Sequence, residues 1–404
     1  MPDKFSRRGF ITAATATAAS VVSATGASAV TASVVSAEQA HEAQTATLNK
    51  KEEFFGAHQN GIELELQTFS NFIAFDLHAE TDKAAMLRWM SVITDDLIRL
   101  ADGRPVLADA QPQLALGPAR LTGTVGFGPT LFTKLSLEAL APKSFAELPP
   151  FKIDKLQAEF SAGDVLIQVS CDDPIVLSHA VRAIIRDSMS FASVRYAQAG
   201  FSNAQGVSPS GTRQRNLMGQ VDGTDNPALG SDDFRRLVWI EDGPDWAVGG
   251  TILVLRRIAM QLDTWDMLGR TDKELVIGRK LSNGAPLGGK HETDVPDFEQ
   301  TESNGLSVIP PFAHIRRATP TNPNERFFRR PFNYEVGVSA NGTPDVGLLW
   351  TAYMRDMSQY IPVQQRLANL DLLNKWTVPI GSSVFAIAGG VQPGDVIAQK
   401  LFAS

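Results

Sequence analysis

The sequence predicts a duplicated α+β fold in which each half sets helices against one face of an antiparallel sheet. Three observations predict it. The chain has 404 residues, 43% of them hydrophobic, enough for two cores. Segments with strand-like alternation are followed by segments of helical period, twice in each half. No later stretch offers about twenty uninterrupted apolar residues, so nothing reads as a membrane span.

Residues 1–37 read as a targeting segment: Ser6-Arg7-Arg8-Gly9-Phe10-Ile11 is a twin-arginine signature ahead of a mildly apolar run of Thr, Ser and Ala. Ala27-Ser28-Ala29 and Val35-Ser36-Ala37 both suit cleavage. Export of a folded protein by the twin-arginine translocase, to a periplasm or the outside, is the expectation. An uncleaved basic tail or an anchor is the alternative. The formal charge of −7 becomes about −9 when Lys4, Arg7 and Arg8 leave with only Asp3, which argues against nucleic acid as a partner. The single Cys171 excludes an intrachain disulfide and any metal cage built on several thiolates, and reads as a small buried hydrophobe.

Residues 38–67 form a polar, loop-like entrance segment, and residues 68–210 the first half. Asn71 to His78 reads as a strand; Met86, Met90, Ile93, Leu97 and Leu100 then recur at helical spacing until Gly103. Val165, Ile167, Val169 and Cys171 alternate as a strand, Pro174 opens a helix, and Leu177, Val181 and Ile184 line its inner face. Gly200 to Arg215, rich in Gly, Ser, Asn and Gln, holds the boundary. The second half, 211–404, repeats the plan with a strand from Thr251 to Leu255, a short helix from Asp272 to Val276, a strand from Val346 to Met354 and a helix from Val363 to Trp376. The region from Asn283 to Asn324 is too long for a plain connector, and long ordered loops are usually functional.

One short segment carries chemistry. Gly219-Gln220-Val221-Asp222-Gly223-Thr224-Asp225-Asn226-Pro227 sets one carboxylate between glycines where neither helix nor strand can continue. By itself it reads equally as a turn at a domain entrance. Further on, Pro310-Pro311-Phe312-Ala313-His314-Ile315-Arg316-Arg317 places a histidine beside two arginines, and Phe328-Arg329-Arg330-Pro331-Phe332-Asn333-Tyr334 follows. The other five histidines, His41, His58, His78, His179 and His291, sit in settings that suit surface or structural roles. His291-Glu292-Thr293-Asp294 has no second His at i+4 and reads as solvated loop.

In this order of Asp, His and Arg the chain resembles the dye-decolorising peroxidases, a haem family marked by Gly-x-x-Asp-Gly, a later proximal His and an Arg after it. The resemblance is strongest to the branch exported by the twin-arginine route, which includes the deferrochelatases. It extends to His58-Gln59-Asn60-Gly61-Ile62, Gly163-Asp164-Val165-Leu166-Ile167-Gln168, Ile277-Gly278-Arg279, Gly284-Ala285-Pro286-Leu287, and Pro362-Val363-Gln364-Gln365-Arg366-Leu367-Ala368 running on to Asp371, so it covers residue 50 to the C-terminus.

The resemblance implies two ferredoxin-like halves, with one haem b per chain held mainly by the second. It makes His314 the proximal iron ligand and Asp371 the carboxylate behind it, a helical surface Asp being the other reading of Asp371. It makes Asp222 the group that moves the peroxide proton and Arg329 the distal cation. Pro331 stands where the family has Gly, which leaves Arg330 open as the alternative; whichever of the two is not distal would be a surface or propionate-facing charge. Arg279 would reach a haem propionate, with Gly223, Thr224 and Asn226 beside the cofactor and Gln220 where relatives carry an aromatic. A carboxylate base implies an acidic optimum. Trp350, Trp376 and Tyr334 are candidate electron relays, with core packing as their ordinary role. The implied activity is that of an exported peroxidase in which hydrogen peroxide yields a ferryl state that phenols, dyes or similar small-molecule reductants return by single electrons. The alternative is a haem-binding, deferrochelatase-like protein for iron acquisition. Oligomeric state stays open, a homo-oligomer included.

Overall fold

The computed structural model describes residues 50–403 apart from 116, 205, 208–212 and 339–341. The targeting segment and residues 38–49 lie outside the described residues. Residues 51–404 form one compact unit.

In the first half, β1 (Phe69–Leu77) leads to α1 (Lys83–Ala101), β2 (Thr122–Phe127), α2 (Pro129–Lys134), β3 (Val165–Cys171), α3 (Pro174–Ser188) and β4 (Ala192–Phe201). Asp82 opens α1 by accepting the Ala85 amide, and Gly103 lies just beyond its end at φ 67°. Met86, Met90, Ile93, Leu97 and Leu100 are buried as the spacing predicts, and Trp89 joins them. Asp173 caps α3, where Pro174 occupies the first turn. The strands pair in the order β4-β1-β3-β2, all antiparallel, with Ile73 opposite Ile167. Cys171 is buried, and burial pushes its thiol up to about 12. Asp164 of the Gly163-Asp164 motif is also buried, accepting from the Leu77 amide at 2.7 Å, Thr130 at 2.6 Å and Lys134 at 2.6 Å. It staples α2 to β1.

The second half contains α4 (Asp232–Val238), β5 (Thr251–Met260), α5 (Leu262–Trp265), α6 (Arg270–Ile277), α7 (His314–Ala318), β6 (Phe328–Arg329), β7 (Phe332–Val338), β8 (Pro344–Met354), α8 (Ile361–Leu370), β9 (Thr377–Ile387) and α9 (Gln399–Phe402). Its strands run β9-β5-β8-β7, the same order as the first half. The two sheets meet at both edges. β2 pairs β9 through Gly126↔Ile387 and Phe127↔Ala386, and β4 pairs β7 through Phe201↔Asn333, so eight strands close a ring. Apolar side chains from both halves, among them Phe72, Leu166, Leu253, Leu349, Tyr353 and Phe385, fill its interior.

Two elements differ from expectation. The strand from Thr251 continues to Met260, because Arg256 and Arg257, polar in sequence, are both buried within it. The helix expected over Val363–Trp376 stops at Leu370: Asp371 turns extended, at ψ 119°, and a short 3-10 turn, Leu372–Lys375, follows. The break has a local cause. Asp371 Oδ1 accepts the Leu373 amide at 2.9 Å, a bond available only outside the helix. No helix among the described residues is long and apolar enough to cross a membrane.

Candidate active site

Strand alternation assigns the second half's side chains to two faces. Leu253 and Leu255 of β5 and Leu349 and Tyr353 of β8 enter the ring, while Ile258, Met260, Leu348 and Trp350 point outward. Above that outer face lies a cavity of about 500 Å³, roofed by Val363 and Leu367 of α8 and entered by residues of the loops around α7. This volume falls within the range of small-molecule and cofactor sites, and the walls are mainly apolar. Charged residues interrupt them, Asp225, Arg279, Glu292, Glu325 and Arg326 among them, and two close pairs bear on chemistry.

The first pair is His314 and Asp371, both in the lining. His314 is the first residue of α7, and the Leu372 amide donates to the Phe312 carbonyl at 3.0 Å, tying the two segments together. His314 Nδ1 lies 2.6 Å from Asp371 Oδ2, and the Asp371 side chain is only 3% exposed. A buried carboxylate accepting at Nδ1 keeps the proton there, which leaves Nε2 with a free lone pair. The helix break described above is what brings Asp371 to this position.

The second pair is Asp222 and Arg329. Asp222 lies in the irregular stretch after the bridge Arg215↔Val221, its amide donating to the Gln214 carbonyl at 3.0 Å. Gly219 and Gly223 adopt φ of 84° and 85°, the left-handed region that only glycine enters freely. Asp222 Oδ1 is buried, accepts no hydrogen bond, and sits 3.2 Å from Arg329 Nη2. Such an acceptor is costly unless something fills its place. Asn226 fixes Arg329 from behind, accepting its amide at 3.0 Å and donating to its carbonyl at 2.8 Å.

The alternation of β6 separates the two arginines. Arg329 stands opposite outward-facing Ala352, whereas the next residue, Arg330, bonds to Thr351 in the ring interior. Arg330 is buried, donates to the Leu64 carbonyl and, at 2.8 Å, to Gln67 Oε1, and burial pushes its guanidinium down to about 10. It is neither a surface charge nor part of the cavity wall, contrary to the expectation for the arginine left over.

Arg279 lines the cavity edge, its Nη1 donating to the carbonyls of Gly284 at 2.6 Å and Glu292 at 2.9 Å. Burial lowers its pKa, with Arg329 adding to the effect and Glu292 opposing it. Thr224 is in the lining, but its hydroxyl is given to Glu292 at 2.9 Å. Asn226 is committed to Arg329, and neither it nor Gly223 reaches the cavity wall. Gln220 lines it with a buried, unpartnered Nε2. The loop read as solvated has His291 and Thr293 exposed, and its Glu292, Thr293 and Asp294 also line the cavity. A carboxylate at the mouth could not be told from a solvated one by local sequence. Of the aromatic candidates, Trp350 lines the cavity and sits 5.3 Å from Tyr360, Trp376 packs on Trp265, and Tyr334 is buried inside the ring under Arg257.

Among the described residues no three His, Cys, Asp or Glu side chains cluster as a metal cage. One imidazole in a large, mainly apolar cavity, with carboxylates and guanidinium groups elsewhere in its wall, is a donor set that suits an iron carried in its own macrocycle. The family models agree with that chemistry. Residues 213–392 match the Dyp-type peroxidase C-terminal model, and residues 59–202 match the N-terminal one. The chain belongs to the Dyp-type peroxidase family. Members are haem-dependent oxidoreductases, and this chain is one of them. It is 35% identical to the dye-decolorizing peroxidase of Thermobifida fusca, over 98% of this chain and 97% of the relative. It is 34% identical to a deferrochelatase of Yersinia pseudotuberculosis, over 87% and 85%. Among solved structures, the DyP-type peroxidase of Cellulomonas bogoriensis superposes with a TM-score of 0.86 at 46% identity, covering 89% of this chain and 99% of that one.

Proposed function

We propose that this Dyp-type peroxidase uses one haem b, seated in the cavity on the outer face of the second sheet, to reduce hydrogen peroxide at the expense of phenols, dyes or similar one-electron donors. The observation that carries the reading is the presence, in one cavity, of an imidazole backed by a buried carboxylate and of a second carboxylate beside a guanidinium. His314 would hold the iron through Nε2, and Arg279 at the edge would meet a propionate. Bound haem supplies the redox centre, taking two electrons' worth of oxidation from peroxide and returning it to donors one electron at a time.

The chain's own residues handle protons and charge. Asp222 would move the peroxide proton through Oδ1, taking it from one oxygen and giving it to the other, which leaves as water. Arg329 Nη2, beside it, stabilises the negative charge that grows on the departing oxygen. Asp371 orients the His314 ring and makes it electron-rich by accepting from Nδ1. Trp350 and Tyr360, 5.3 Å apart, both line the cavity and would be the last aromatic step for an electron entering it.

The twin-arginine leader makes export of the folded holoprotein to a periplasm or beyond part of the same proposal. A second reading, iron recovery from haem, is favoured by the deferrochelatase relatives. Absorption spectra separate the possibilities. Purified protein should show a Soret band that shifts within seconds of adding peroxide and returns with a phenol, and His314→Ala should lose the normal band. Release of iron-free porphyrin without donor oxidation would support iron recovery instead, and colourless protein grown with ample haem would remove both readings.

A further inference from the structure

The loop His291-Glu292-Thr293-Asp294 carries a carboxylate that the proton and charge transfers above do not use. Glu292 Oε1 pairs with Arg213 Nε at 2.8 Å and accepts the Thr224 hydroxyl at 2.9 Å. Arg213 in turn gives Nη1 to the Gly223 carbonyl at 2.9 Å. The Glu292 backbone is itself fastened, its carbonyl taking Arg279 Nη1 at 2.9 Å. One side chain thus grips both residues that follow Asp222: Thr224 directly and Gly223 through Arg213.

Asp222 needs such a grip. No helix or strand holds residues 222–227, Gly223 is left-handed, and the Asp222 Oδ1 oxygen accepts no hydrogen bond of its own. Upstream the chain is fixed by the Arg215↔Val221 bridge and the Asp222 amide, and Asn226 anchors it again four residues on. Between these anchors the Asn226 amide closes a turn onto the Gly223 carbonyl at 3.0 Å and Arg326 holds the Asp225 carbonyl at 3.3 Å, while the two clamps on Glu292 hold the residues next to Asp222 itself. We propose that Glu292 is the positioning residue for Asp222, holding its carboxylate at the point where it meets peroxide. The inference rests on the reading of Asp222 as the proton-transfer group.

The test compares Glu292→Ala, Glu292→Gln and Asp222→Asn by two measurements. Amide hydrogen exchange over residues 219–227 should quicken about tenfold in Glu292→Ala, in haem-free and haem-loaded protein alike, and much less in Glu292→Gln, whose amide oxygen still accepts from Thr224. The second-order rate of the haem-loaded protein with peroxide should fall about ten- to a hundredfold in Glu292→Ala, recover in large part in Glu292→Gln, and leave the KM for the reductant unchanged. Unchanged exchange and an unchanged peroxide rate in Glu292→Ala, beside a crippled Asp222→Asn, would overturn the inference alone. A normal peroxide rate in Asp222→Asn would overturn the role of Asp222 and this inference with it.

Discussion

The two halves share one strand order and put the outer face of their sheets to opposite uses. In the first half, the connection from β1 to β2 carries α1, a helix of 19 residues whose apolar stripe lies on the sheet and closes it over. In the second, the corresponding connection from β5 to β7 is broken into α5, α6 and α7, of 4, 8 and 5 residues, with long loops between them. None is long enough to seal the face, and the space left is the cavity. A duplicated fold acquires a site here by withholding a covering helix from one copy.

The sharpest way to break this comparison is to alter one residue of each kind. Asp222→Asn should slow the peroxide step by about a hundred- to ten-thousandfold while leaving the melting temperature near that of the parent, as rapid-mixing kinetics and calorimetry would show. Leu97→Ala, under the sealed face, should do the reverse: a loss of about 2–5 kcal/mol in denaturant unfolding with a normal peroxide rate. If the two effects were exchanged or mixed, the division of labour between halves would be wrong.

A smaller effect is expected at the joint between His314 and Asp371. Asp371→Asn should weaken haem retention or the peroxide step by about ten- to a hundredfold, read as haem content after gel filtration and as a shifted Soret band. The smallest concerns acidity in the sealed half. Burial, then the neighbouring Asp187, pushes Asp96 of α1 up to about 7. Its folded-state pKa is above its unfolded one, so the folded protein keeps a proton that the unfolded chain has released. Stability from this group is therefore complete below about pH 4 and falls as pH rises to 7. Asp96→Asn should flatten that slope and raise the melting temperature at pH 7 more than at pH 5.

Much of this was legible in the chain. Met86 to Leu100 has a clean period because one face of the helix is buried, Val165 to Cys171 alternates although both of its faces are buried, and both appear where the pattern puts them. β4 and β9 were not legible, since Arg195 and Gln198 in one and Pro379 and Gly381 in the other disrupt the apolar alternation. The site shows the same split. His314, Asp371, Asp222, Arg329 and Arg279 all converge on the cavity, each carried by a recognisable motif. Glu292 was missed because its partners, Arg213 and Thr224, are 79 and 68 residues away, beyond any local signal. Arg329 and not Arg330 lines the cavity because adjacent strand residues face opposite ways, but the sequence alone does not say which of the two faces out.

The seams of the strand ring bear on how this protein would fail. At the junction of β4 and β7 a single pair, Phe201↔Asn333, carries the contact, and a methyl group on neighbouring Gly200 would come within 2.6 Å of Phe332 Cβ. A side chain at position 200 would prise the two edges apart and bare rows of N–H and C=O groups to other molecules. The first symptom of such a change would be clumping through newly opened strands, and the cavity would feel it too, because the same methyl would come within 3.2 Å of Leu349 of β8, which lies between the cavity-lining Leu348 and Trp350.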